Sequence, residues 1–133
     1  MNRTAGFTLV ELMIVIALVG ILSAIAVNIF SDNVMRSNRT EARSALQQAA
    51  GTLEKCKSLY GRYSNALPCN YADFITESGY YNVAISNLTD TTFTLTATPV
   101  PGARQVGDTD CTSLTLTNTG VKNATGGNPP ECW

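Results

Sequence analysis

The hydrophobic and polar positions of the chain change their pattern along its length, and the first pattern is an uninterrupted apolar segment. Residues 12–27 are all aliphatic or small, and Ile29 and Phe30 extend the segment past Asn28. About 20 such residues are enough to cross the roughly 30 Å hydrocarbon core of a bilayer. A carboxylate, Glu11, precedes the segment, and an ionisable group costs about 2.5–3.5 kcal/mol at a bilayer centre and less near an interface. The pattern predicts a helix that lies in a membrane or in a helix bundle, and it indicates a functional role for Glu11.

A helical pattern continues beyond the apolar segment, because residues 32–60 contain no proline. Apolar side chains recur there at steps of three and four, the helical period: Ala42, Ala45, Leu46, Ala49, Leu53, Cys56 and Tyr60. The intervening side chains form a polar face whose charges we expect to be solvated: Arg36, Arg39, Glu41, Arg43, Gln47, Gln48 and Glu54. Gly61 is a natural residue to follow a helix, so one helix is predicted over about residues 7–60. The first half of this helix is apolar on all sides, which is typical of a helix in lipid or in a helix bundle. The second half is apolar on one side only, which is typical of a helix packed against a soluble domain.

The remaining chain predicts an antiparallel sheet. Residues 61–79 are rich in turn formers, with a short helix predicted over 71–77. Three later segments alternate apolar and polar side chains, which indicates strands with one wet face: 81–85, 92–98 and 113–117. A turn signal at 118–120 predicts a short fourth strand at Val121 and Lys122. The predicted fold class is α+β, with the helix packed on a 3–4-stranded antiparallel sheet and a disulfide-closed C-terminal loop.

Four cysteines in a short exported chain indicate two disulfides formed in a periplasm or outside the cell. They form no C-x-x-C motif, which argues against a zinc ribbon or a thioredoxin-type site. Three pairings are open, and we expect the two sequence-local ones, Cys56–Cys69 and Cys111–Cys132. Each bond would stabilise the fold by roughly 3 kcal/mol in the chain-entropy model.

The sequence offers little for catalysis or metal binding. The chain has a net charge of −1 and no histidine, which removes histidine triads and histidine metal sites. We therefore expect no enzyme activity, no cofactor and no metal. Asp108 and Asp110 beside Cys111 have the chemistry of a calcium site, but a solvated acidic loop is the favoured interpretation.

Residues 1–30 resemble the N-terminus of type IV pilin precursors. The resemblance lies in a short leader with Arg3 that ends in Gly6, followed by Phe7, by Glu11 as the fifth residue after the leader, and by the apolar segment. It implies that a prepilin peptidase cleaves between Gly6 and Phe7 and that Phe7 is then N-methylated. It also implies that Glu11 pairs with the amine of Phe7 on an adjacent subunit during assembly.

The resemblance implies a division of the chain into a removed leader, residues 1–6, a transmembrane and assembly segment, 7–30, and a periplasmic globular domain, 31–133. The protein would lie in the bacterial inner membrane and then in an extracellular pilus. Its partners would be membrane lipid, the prepilin peptidase, the inner-membrane assembly platform and other pilin subunits. The family usually has proline where Asn28 stands here, so helix melting between Gly20 and Asn28 is not favoured.

A second resemblance, to PilE-type minor pilins and the related DNA-uptake receptor ComP, lies in residues 93–99, 111–120 and 132–133. It implies a minor pilin that supports pilus assembly and pilus-dependent motility, adhesion or DNA uptake. Alternatives are a DNA-binding uptake receptor and a type II secretion pseudopilin.

Two further readings remain open. DNA binding is weakly supported, since only Arg62, Arg104 and Lys122 are basic past the helix, although three aromatic side chains have the chemistry to stack on bases: Tyr80, Tyr81 and Trp133. An ordinary secretory signal peptide cleaved after Ala26 is also open, but it gives Glu11 no use.

Overall fold

The computed structural model describes the backbone of residues 7–63, 69 and 71–133, and the side chains of the same residues except 26–29. The chain divides into two compact units, one that ends at Val34 and one from Met35 to Trp133. The predicted leader, including Gly6, lies outside the described residues.

One continuous helix, α1, runs over Leu9–Tyr60 and passes through Gly20 and Asn28 without a break. Thr8 caps its start, because the Thr8 hydroxyl oxygen accepts the Glu11 N–H at 3.2 Å and the Thr8 carbonyl accepts the Leu12 N–H at 3.2 Å. Gly61 ends the helix with φ 74°, the left-handed conformation that glycine adopts most easily. The predicted long helix is confirmed and begins two residues later than expected.

The chain after α1 forms a five-stranded antiparallel sheet in which each strand pairs with the next one in sequence. The strands are β1 (Phe74–Ile75), β2 (Tyr81–Ser86), β3 (Thr94–Pro99), β4 (Ser113–Thr117) and β5 (Lys122–Thr125). The α+β fold and the three strands predicted from alternation are confirmed. The sheet has five strands rather than the predicted three or four, and the predicted fourth strand is β5, which begins at Lys122 and leaves Val121 in the preceding turn. Short 3-10 turns cover Arg104–Gly107, between β3 and β4, and Pro129–Glu131, after β5.

The short helix predicted over 71–77 is wrong, because this segment contains strand β1. Phe74 lies opposite Val83 and Ile75 lies opposite Asn82 in the antiparallel pairing with β2. The Asp73 carboxylate also accepts the N–H of Ile85 at 3.0 Å. Pairing with a strand that comes later in the chain fixes this segment, and two residues are too few to show a period of two.

The hydrophobic core lies between the second half of α1 and the inner face of the sheet. The helix contributes four buried apolar side chains, Ala42, Leu46, Ala49 and Leu53. The strands contribute alternate positions, which are Tyr81, Val83, Leu95, Ala97, Leu114 and Leu116. The outer face carries threonines in register, with Thr94 opposite Thr117 and Thr96 opposite Thr115. The predicted packing of the dry face on the helix stripe is confirmed, and each fully buried Leu contributes about 1.5–3 kcal/mol.

Two disulfides join the same cysteines that the sequence analysis paired. Cys56 at the end of α1 is bonded to Cys69, with 5.9 Å between their Cα atoms. Cys111 before β4 is bonded to Cys132, with 5.7 Å between their Cα atoms. The second bond closes a 21-residue separation and lies wholly within the core.

Candidate functional site

The N-terminal unit presents an apolar helical surface that its own residues do not cover. Residues 7–25 and Phe30 are all exposed. An 18-residue window of α1 has a mean hydropathy of 2.7 and none of it is buried, so the helix is long and apolar enough to cross a membrane. A continuous exposed apolar surface of this kind marks a membrane or protein interaction site.

Glu11 lies in the first turn of α1 and its side chain is exposed. The positive end of the helix dipole favours a carboxylate at this position. Thr8 and Glu11 have the T-x-x-E spacing of a capping box, a signal that our sequence analysis missed. Phe7, two residues before the helix, is also exposed. The start of the apolar segment thus presents Phe7, just before the helix, and Glu11, in its first turn, on the surface.

The C-terminal unit contains a buried ion pair that the sequence analysis did not predict. Arg39 on α1 donates from Nε to Asp108 Oδ2 at 2.6 Å and from a terminal guanidinium nitrogen to Asp108 Oδ1 at 2.5 Å. Both residues are buried, with relative exposures of 5% and 2%. The hydrogen bond to Asp108 raises the pKa of Arg39 further above its usual range. Gln105 also donates to Asp108 Oδ2 at 2.8 Å and accepts from Asn38 at 2.9 Å.

Two arginines of α1 hold both halves of the Cys111–Cys132 disulfide. Asp108, which Arg39 binds, accepts the backbone N–H of Cys111 at 3.2 Å. Arg43, one turn further along the helix, donates to the Cys132 carbonyl at 2.8 Å. The C-terminal loop, which the disulfide closes, is therefore fixed to the helix by charge-assisted hydrogen bonds.

These contacts correct two expectations about charged residues. The predicted polar face of α1 is not simply solvated, because Arg39 is buried and Arg43 binds the C-terminal loop. Asp108 is not part of a solvated acidic loop either, although Asp110 is exposed. Among the residues that the structure describes, no cluster of three or more acidic or cysteine side chains is arranged to hold a metal ion.

The aromatic residues considered for base stacking have structural contacts. Tyr81 is fully buried in the core, and burial raises its pKa to about 12. Tyr80 packs against the same core. Trp133 donates from its indole nitrogen to the Asn123 carbonyl at 2.7 Å, and Lys122 lies over its ring with Nζ 5.1 Å from the centroid.

The comparisons with known proteins agree with the apolar segment and the helix-on-sheet fold. A family model described as type IV minor pilin ComP, DNA uptake sequence receptor, matches residues 29–115, well over half of the chain. This chain belongs to the type IV pilin family. A second model, described as the prokaryotic N-terminal methylation motif, matches residues 1–27 of this pilin. The resemblance noted in the sequence is thereby confirmed.

Curated relatives match only part of this pilin. A 78-residue stretch, 59% of the chain, is 40% identical to the type IV major pilin protein PilA of Myxococcus xanthus strain DK1622. A 37-residue stretch, 28% of the chain, is 62% identical to the fimbrial protein EcpC of Eikenella corrodens. These stretches span 32% and 24% of the two relatives, so the match extends over a third or less of their lengths.

Solved structures match more of the fold. The crystal structure of the Neisseria meningitidis non-core minor pilin PilV has a TM-score of 0.54 and 30% identity, covering 72% of this pilin and 91% of that chain. A type IV pilin from Shewanella oneidensis has a TM-score of 0.51 and 26% identity, covering 66% and 89%. This pilin therefore has the type IV pilin fold and is similar to minor pilins.

Proposed function

We propose that the chain is a structural subunit of a type IV pilus, of the minor-pilin kind, that polymerises through its N-terminal helix. In this proposal residues 1–6 are removed by the prepilin peptidase, and Phe7 becomes an N-methylated N-terminus. Residues 7–30 hold the subunit in the inner membrane and then pack among neighbouring helices in the pilus. Residues 31–133 are periplasmic before the inner-membrane assembly platform moves the subunit into the fibre.

The observation that carries this proposal is the exposed apolar helix with Glu11 in its first turn. Lipid and neighbouring apolar helices are both suitable surroundings for such a surface, so the segment serves in the membrane and in the fibre. Burial among helices leaves the Glu11 carboxylate in need of a cation, and the amine of Phe7 on an adjacent subunit supplies one. A buried ion pair adds little net stability, but losing one partner costs about 3–5 kcal/mol. The pair therefore selects one axial offset between helices that otherwise slide.

The test is Glu11→Ala in a piliated bacterium whose only copy of this chain carries the change. We expect membrane levels close to normal and a strong loss from sheared surface fibres, because the variant leaves an amine unpaired at assembly. Asp32→Ala is the matched control, since Asp32 is an exposed acid further along the same helix. Normal incorporation of the Glu11 variant would remove the register role. Mass spectrometry of the mature chain distinguishes a Phe7 start from the signal-peptide alternative, which starts at Val27.

A second candidate function is DNA capture, which the description of the matching ComP family model favours. The balance of basic and acidic residues past α1 gives DNA capture less support. Past α1 the basic residues are Arg62, Arg104 and Lys122, against six acids, and phosphate neutralisation by Lys and Arg dominates DNA affinity.

A gel shift with residues 35–133 at several salt concentrations tests DNA capture. A receptor would give a shift at low salt that weakens steeply as salt rises, because counterions are released on binding. We expect no shift at low salt, and a shift would make DNA capture the preferred function.

A further inference from the structure

The two edge strands of the sheet, β1 and β5, differ in their contacts with the rest of the chain. At the β5 edge, the indole nitrogen of Trp133 donates to the carbonyl of Asn123, so this backbone acceptor has a partner from the C-terminal turn. At the β1 edge, Phe74 and Ile75 stay exposed at 37% and 57%. Natural proteins usually protect sheet edges, and an exposed apolar edge indicates a contact surface.

A groove of about 590 Å³ lies between this edge and α1. Phe74 and Ile75 form its apolar side, and small polar side chains of the helix, such as Ser44 and Gln48, form the other. Glu77 and Glu41 give the groove a negative charge. Glu41 is held in place by the backbone N–H of Ser78 at 3.1 Å and by the Ser78 hydroxyl. The groove therefore suits a narrow partner that carries an apolar and a basic side chain.

The β4–β5 turn of the same chain has this chemistry. Residues 119–123, which run from this turn into the start of β5, are exposed in succession. Val121 is 50% exposed, and the basic residue Lys122 follows it. We propose that the β1-edge groove binds the β4–β5 turn of a second copy of this chain, with Val121 against Ile75 and Lys122 against Glu77. The match rests on apolar burial and on charge complementarity.

The positions of groove and turn favour an open array of subunits. Strand pairing places Phe74 and Ala124 in one row across the sheet. Glu77 lies beyond that row in the chain direction of β1, and Lys122 lies on the opposite side of it. The two surfaces are thus at diagonally opposite corners, so a contact between two copies leaves a groove and a turn unused. Such a heterologous contact repeats into a filament when it does not close into a ring.

This contact rests on the proposed function, since it requires the chain to polymerise. The first experiment applies a zero-length carbodiimide cross-linker to sheared wild-type fibres and maps the joined peptides by mass spectrometry. We expect a Lys122–Glu77 or Lys122–Glu41 cross-link. Such a link must join two copies, because Glu41 and Glu77 line the groove beside β1 whereas Lys122 lies in β5, at the opposite edge of the sheet.

The outcomes separate the two proposals. If the chain is missing from the fibres, the proposed function fails and this contact fails with it. If the chain is present but Lys122 is not linked, or is linked to a different pilin, only the contact between two copies is overturned.

Charge reversal provides the second experiment, with chain content of sheared fibres compared at equal membrane level. Glu77→Lys and Lys122→Glu should each lower the content by roughly threefold or more, because like charges then face each other. The double variant should restore the content, and Asp90→Lys, at an exposed acid outside the groove, should leave it unchanged. Failure of the double variant to restore the content would overturn the contact. If any variant does not reach the membrane, the cross-linking result on wild-type fibres decides whether the contact between two copies exists.

Discussion

At the scale of single residues, Arg39 shows how far burial changes the role of a side chain. Its position on the polar side of a helical pattern predicts solvation. In the folded protein it lies beneath the β3–β4 connection, where the Asp108 carboxylate accepts two hydrogen bonds from its guanidinium group. Gln105 donates a third hydrogen bond to the same carboxylate. The pairing joins residues that are 69 positions apart, so no local pattern reveals it.

We predict that Arg39→Met destabilises residues 35–133 by about 3–5 kcal/mol, because it leaves the Asp108 carboxylate buried without its cation. Arg36→Met is the matched control on the same helix. Arg36 contacts Glu131 at 3.6 Å with both side chains more than half exposed, so its loss should cost no more than about 1 kcal/mol. Urea unfolding measures both values. Equal costs for the two variants would contradict a structural role for the buried pair.

The Glu41 carboxyl group makes the stability of the folded state depend on pH. Burial raises its pKa, but the hydrogen bonds from Ser78 and Thr76 outweigh burial, and the net pKa lies below the ordinary value of 4.5. The folded state therefore favours the charged carboxylate. Its contribution to stability is complete above the ordinary pKa and is lost as the pH falls through the lowered value.

We expect residues 35–133 to lose more unfolding free energy between pH 7 and pH 3 than the Glu41→Gln variant does. Ser78→Ala should also weaken the dependence, since it removes one of the donors that lower the pKa. Unfolding curves at a series of pH values measure the slopes. The same slope in wild type and Glu41→Gln would show that other carboxyl groups produce the acid loss.

At the scale of elements, the C-terminal loop depends on a close backbone approach. Gly127 and Asn128 donate their N–H groups to the carbonyls of Thr109 and Asp110 at 2.9 and 3.1 Å. Gly126 has φ 134°, and a Cβ at this position would overlap the Asp110 carbonyl group. The loop can therefore lie against Cys111 only with glycine at this position.

Gly126→Ala should destabilise residues 35–133 more than Gly120→Ala does. Gly120 also has a positive φ, 78°, but a Cβ there meets nothing within 4 Å, so that variant carries only backbone strain of about 1–2 kcal/mol. Thermal or urea unfolding of both variants measures the difference. A Gly126 variant as stable as the Gly120 variant would mean that the loop moves away from Asp110 at little cost.

At the scale of the whole molecule, the two compact units have different surfaces. The N-terminal unit exposes an apolar helix, whereas the C-terminal unit buries its apolar side chains between helix and sheet. We predict that a chain starting at Phe7 stays in the membrane fraction after alkaline carbonate washing, and that residues 35–133 do not. Replacing Ile14 and Leu18 with aspartate should release the longer chain, because charges within a membrane helix are costly. Retention of residues 35–133 in the washed membranes would show a second membrane-binding surface.

The sequence alone determined the features that depend on local spacing. The apolar segment, the helical period of α1 and the alternation of β2, β3 and β4 are all visible without a structure, because each lasts for several residues and one face of each is buried. The N-terminal motif, from Arg3 to Glu11, was enough to indicate the family, and the family model of the N-terminal methylation motif matches the same segment.

Only the tertiary structure decided the features that depend on residues distant in sequence. Strand β1 exists because β2 pairs with its two residues, and Asp108 is buried because Arg39 reaches it from the helix. The groove beside β1 and the turn at Val121 are likewise produced by packing and by strand order. Burial, pairing and charge neutralisation across long separations leave no period in the chain, and for that reason they become visible only after it has folded.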